Sequence, residues 1–140
     1  MIALVVAVAV LAAGAVGWVW WRGDGRMQPG SREVVPPDRV GLPEDAFGAG
    51  GTLLLFGSQQ DRRTGLVRER LEALIADRPG LRIAEVDLTV RGDVAGPYAV
   101  TRTPTVFVLD ADRRLLARVK GAAEEDVLRV ALATLDQPAG

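Results

Sequence analysis

Tyr98-Ala99-Val100-Thr101-Arg102-Thr103-Pro104-Thr105, running on into Val106-Phe107-Val108-Leu109, is the stretch from which the fold of this chain reads outward. Pro104 to Leu109 predicts a strand, Asp110-Ala111-Asp112 a hairpin turn, and Leu115 to Lys120 an antiparallel partner that Gly121 ends. Upstream, Thr52-Leu53-Leu54-Leu55-Phe56 is a continuous apolar run that fits a strand buried on both faces. Ser58 to Asp61 offers N-cap oxygens for a helix predicted to about Asp77. Its apolar residues Val67, Leu71, Leu74 and Ile75 share one face, and Arg78-Pro79-Gly80 stops it. Leu81, Ile83, Val86 and Leu88 mark a further strand, and a short helix is predicted from about Gly92 to Tyr98. Glu124-Glu125-Asp126 place negative charge in the first turn of a last helix, which buries Val127, Leu128, Ala131, Leu132 and Leu135.

The element order is β-α-β-α-β-β-α, with no internal repeat. Two strands joined through a helix run parallel and the last two form a hairpin, so the expectation is an α/β domain with one mixed sheet flanked by helices.

This order and its punctuation resemble the thioredoxin family over roughly residues 52–135. Phe56-Gly57-Ser58 leads into a helix, Val86-Asp87 ends the next strand, and Tyr98 to Thr105 is similar to the family segment Y-G-V-x-x-x-P-T. The resemblance implies a thioredoxin-like fold and a cis peptide bond before Pro104. It also implies a groove in which the backbone beside that proline pairs with an extended peptide, formed by Thr103, Pro104, Lys120 and Gly121 next to the first-helix loop.

The redox motif of the family is missing. Counting from Phe56, its Cys-x-x-Cys positions hold Asp61-Arg62-Arg63-Thr64, and Leu55 stands where many members carry a buried carboxylate. The chain has no cysteine at all, so it supplies no sulfur nucleophile for thiol–disulfide exchange. Asp61 reads first as an N-cap; a binding carboxylate and a catalytic group paired with Thr64 are the alternatives. Arg62 and Arg63 read as a solvated pair or as recognition groups for an acidic peptide or phosphate.

Composition narrows the chemistry further. Of 140 residues none is His or Cys, which removes imidazole bases, zinc fingers and His-ligated haem. Only carboxylates remain as metal ligands, and none has a spacing that makes a site, so neither metal nor cofactor is expected. A net charge of −1 with no long basic run argues against nucleic acid. Gly48-Ala49-Gly50-Gly51 lacks the Lys-Ser/Thr of a phosphate loop, and the two Arg-Gly-Asp triplets, at Arg22 and Arg91, read as coincidence.

Ahead of the domain, residues 2–21 carry no charge and end in Trp18, Trp20 and Trp21. As a helix rising ~1.5 Å per residue this run spans roughly 30 Å, the thickness of the hydrocarbon core. The expectation is a single transmembrane helix with tryptophans at the headgroups; a signal peptide cleaved near Ala13-Gly14-Ala15 is the alternative. Arg22, Arg26 and Arg32 follow the span, which by positive-inside logic puts the domain in the cytoplasm; an outward-facing domain is the alternative. The Gly- and Pro-rich stretch 22–51 reads as a tether, with one helical turn at 42–47, and 136–140 as a tail.

Three functions follow as expectations: a redox-inactive, membrane-anchored module that binds a protein or extended peptide; a structural subunit of a membrane complex held by the small-residue face Ala12 to Gly17; and a degenerate relative of the oxidoreductases.

Overall fold

A computed structural model of the chain describes residues 25–137. The expected transmembrane span at 2–21 lies outside the described residues; among those described, no helix is long and apolar enough to cross a membrane. The elements are β1 (Arg26–Pro29), β2 (Gly51–Gly57), α1 (Arg62–Leu74), β3 (Leu81–Asp87), β4 (Thr105–Leu109), β5 (Leu115–Lys120) and α2 (Glu125–Ala133), with short 3₁₀ turns between them.

The five strands form one sheet in the order β1-β5-β4-β2-β3, parallel only between β2 and β3. All seven residues of β2 are buried because both faces are covered. Leu53 and Leu55 meet α1 and α2 through Val67, Leu71, Val127 and Leu128. Leu54 and Phe56 point to the other face, packed under Val35, Val40, Val94 and Tyr98. There the Phe56 and Phe107 rings meet edge to face at 4.7 Å.

The stretch expected as a tether departs from that expectation. From Arg26 onward it is part of the domain: β1 pairs antiparallel with β5, and the chain continues the same way toward the hairpin turn, the Arg32 and Val35 N–H groups donating to the Leu115 and Arg113 carbonyls. Met27, Val35, Pro37, Val40 and Phe47 are buried. Glycine and proline break regular helices and central strands, but an edge strand and 3₁₀ turns tolerate them. Pro29 sits at the end of β1, and Gly41, at φ +70°, closes the Pro37–Val40 turn.

Three smaller differences concern element ends. α1 stops at Leu74 with Ile75 as its C-cap. The helix expected over 92–98 is a single 3₁₀ turn, Gly92–Val94, where Gly96 and Pro97 prevent extension. Asp136, expected in the tail, is ion-paired with Arg78 at 2.8 Å.

Candidate functional site

β2 delivers the chain to the N-terminus of α1, and a turn through Ser58 reverses it, with the Asp61 N–H donating to the Ser58 carbonyl at 3.1 Å. Asp61 is the N-cap of α1, and its carboxylate accepts from the Arg63 N–H at 3.0 Å. That amide is the main reason the Asp61 carboxyl lies below the ordinary carboxylate value; partial desolvation opposes it, and the Arg63 guanidinium and Thr103 hydroxyl reinforce it. The Arg63 guanidinium also donates to Asp61 at 3.4 and 3.5 Å and to the Thr103 carbonyl at 3.3 Å. The Thr103 hydroxyl completes the cluster by donating to Asp61 at 3.4 Å.

Thr64, the other end of the motif, is not on this surface. It is 2% exposed and extends the buried stripe of α1 with Val67 and Leu71. Its hydroxyl accepts from the Ser58 N–H at 3.2 Å, so it locks the turn that leaves β2. Gly57 lies so close that an added Cβ would stand 2.3 Å from the Thr64 methyl.

Across the sheet end, the Thr103–Pro104 peptide bond is cis, as the resemblance implies. The Pro104 carbonyl accepts from the Gly121 N–H at 2.7 Å, and Gly121 adopts φ +84°, a conformation that suits glycine. Lys120 stands opposite Thr105 on one side and Arg26 on the other. Its carbonyl accepts from the Gly25 N–H at 2.6 Å.

Asp61, Arg63, Thr103, Pro104 and Gly121 therefore form one contiguous constellation. The Arg62 and Lys120 side chains make no hydrogen bond or ion pair among the described residues. With Pro104 and Gly121 bonded to each other, Thr103 is the residue beside the proline whose N–H has no partner among the described residues.

One positioning residue escapes the sequence reading. Arg118 lies over the Phe107 ring, 4.7 Å from its centroid, and donates to the Tyr98 and Ala99 carbonyls. It pins the turn that leads to Thr103, and burial lowers its pKa. Its signal in the sequence was an arginine alternating with buried residues in β5.

Chemically, the constellation can cap, bind and orient. Asp61 is held ionised by its neighbours, with no His or Cys to pass a proton or form a covalent bond. Among the described residues no acidic cluster is arranged to hold a metal. A cavity of about 160 Å³ beside the α1 N-terminus is lined by Ser58, Thr64, Arg68, Glu85 and Asp87. There Arg68 and Glu85 pair with each other at 2.6 Å. A larger cavity, about 470 Å³, lies at the opposite end of the sheet near Asp110 and Leu135.

Neither a protein-family model nor a curated protein matches the chain. Solved structures do. A point-mutant thioredoxin from Halobacterium salinarum superposes with a TM-score of 0.54 at 19% identity, over 65% of this chain and 79% of that one. Fasciola hepatica thioredoxin gives 0.52 at 24% identity, over 61% and 81%. The germline-specific thioredoxin Deadhead of Drosophila melanogaster gives 0.53 at 20% identity, over 62% and 82%. The chain has a thioredoxin-like fold. Having no cysteine, it gives reason to doubt thiol–disulfide oxidoreductase activity.

Proposed function

We propose that this chain is a membrane-anchored, redox-inactive thioredoxin-like module that holds an extended peptide against Thr103 and Pro104. One observation carries the reading: the Thr103 N–H is unpartnered among the described residues, on a loop that the Gly121 N–H, bonded to the Pro104 carbonyl, ties to the end of the sheet. An extended segment pairs with such a backbone as an added strand does, and no sulfur is needed. The apolar run at 2–21 supplies the anchor, with the domain on the cytoplasmic side.

Partner capture from native membranes, with tagged protein in detergent and Thr103→Arg as the control, tests the reading. A partner lost in the variant supports the groove. A partner retained in the variant transfers the interaction to the membrane helix, as expected of a structural subunit. Reduction of insulin by the pure chain would overturn redox inactivity.

A further inference from the structure

The connection between the expected anchor and the domain is far shorter than the Gly- and Pro-rich stretch suggests. Pairing with β5 begins at Arg26, and the Gly25 N–H is already bonded to the Lys120 carbonyl at 2.6 Å. Only Arg22-Gly23-Asp24 separate Trp21, the last residue of the apolar run, from Gly25. Four Cα–Cα steps reach at most about 14 Å, whatever path they take. On the anchored-module reading, which puts the indoles at headgroup level, this reach would confine Gly25 and Lys120 to a thin layer above the lipid.

Register identifies what else lies in that layer. Phe56, Thr105, Lys120 and Arg26 form one row across the sheet. β2 ends just beyond Phe56 and leads to Asp61; β4 begins at Thr105, immediately after Thr103-Pro104. β1 starts in this row and runs away from it toward Pro29. The Asp110–Asp112 turn closes the far end, and β4 alone places it roughly 17 Å farther along the strands.

We infer that the Thr103–Pro104 site opens toward the bilayer surface and takes an extended juxtamembrane stretch of a membrane-embedded protein. The inference rests on the anchored-module reading. A tether this short prevents the far end of the domain from turning inward, because the folded body cannot enter the lipid; a linker of thirty flexible residues would allow any orientation. A chain leaving the bilayer beside the anchor is already at the height of Thr103, which raises its effective concentration over that of a soluble segment.

Because the chain has no cysteine, a single introduced one reports from a chosen place. The full chain carrying Thr101→Cys or Ala111→Cys, both exposed positions, is labelled with a donor. It is reconstituted in phosphatidylcholine vesicles containing a short-range acceptor on the lipid headgroup. Transfer is expected to be several-fold stronger from position 101, and the difference to collapse when a long Gly-Ser linker is inserted between Asp24 and Gly25. Equal transfer, or stronger transfer from 111, overturns the orientation and leaves the anchor standing. A difference that survives the linker overturns the tether as its origin. Loss of the chain from the vesicles in an alkaline wash overturns the anchored reading, and the inference with it.

The occupant is tested in the same vesicles with an octapeptide of alternating Thr and Val, either free or linked to phosphatidylethanolamine. Perturbation of the 101 label is expected at roughly 100-fold lower bulk concentration for the lipid-linked form, and in neither case with Thr103→Arg. Equal potency of the two forms overturns the juxtamembrane occupant. No response to either form overturns the peptide site itself.

Discussion

A single nitrogen of Arg63, Nη2, donates both to the Asp61 carboxylate at 3.5 Å and to the Thr103 carbonyl at 3.3 Å. The side chain thus joins the cap of α1 to the loop before Pro104, and on the proposed peptide-binding reading it would cover the Thr103 carbonyl that an incoming strand needs. Replacing it with Met keeps the stem and uncovers that carbonyl. Arg63→Met is expected to bind the Thr-Val octapeptide several-fold more tightly in a fluorescence titration. The stability cost is under about 1 kcal/mol, since the pair is long and the Arg63 side chain is 50% exposed. Tighter binding with unchanged denaturant midpoint is the diagnostic result; weaker binding would make Arg63 a contact for the peptide.

Asp61→Ala removes the N-cap of α1 and is expected to cost ~1 kcal/mol in urea denaturation, with Asp61→Asn costing less. The acid dependence has a definite sign. The folded-state pKa of Asp61 lies below its ordinary value of 3.8, so the carboxylate contributes stability above that value. The contribution is lost as pH falls through 3.8 and then through the lower folded-state pKa. The gap between wild type and Asp61→Ala should therefore be constant near neutrality and shrink in that acidic window. A gap that stays constant to lower pH would assign the effect to packing.

Thr64→Val keeps the shape of the buried side chain but deletes the acceptor of the Ser58 N–H. The expected loss is about 1–3 kcal/mol, the cost of leaving a desolvated donor unpaired. Gly57→Ala is expected to lose a similar amount for a steric reason, because its methyl would overlap Thr64. Combined with Thr64→Ala, part of the Gly57→Ala penalty should vanish; strict additivity in this cycle would deny the contact.

Met27 distinguishes a tether from a strand. It is 7% exposed and packs into the helix-side core, so Met27→Ala should cost about 2 kcal/mol or more by denaturation. A tether residue would be silent. Gly25→Val tests the same segment differently: at φ +91° and with a Cβ placed 2.7 Å from the Ala123 Cα, valine is expected to break the start of β1.

Periodicity makes the central strands and both helices legible because each buries apolar side chains at a characteristic spacing, as Val67 and Leu71 do. β1 has no such signal. Arg-Met-Gln-Pro offers one buried side chain in four, and its pairing is specified by the backbone and by its partner β5. Thr64 stands where the family has its second cysteine, but its spacing from Val67 and Leu71 puts it on the buried face of α1, and that spacing is the signal that places it. Asp61 is legible as the cap of α1 because Asp before a helix has a local meaning. The contacts of Arg63 and Arg118 depend on loops brought together from distant parts of the chain, which no local pattern encodes.

The pairing of β1 with β5 also bears on how the protein is made. Among the described strands β1 leaves the ribosome first, and β5, with which it pairs, leaves last. The sheet therefore cannot close along that flank until nearly the whole domain has been synthesised, and β1 waits alone in the meantime. Long-range closure of this kind slows folding, because the entropy of the intervening chain is lost before the contact forms. Four residues ending in proline are poor material for stray pairing, which suits a strand that must wait.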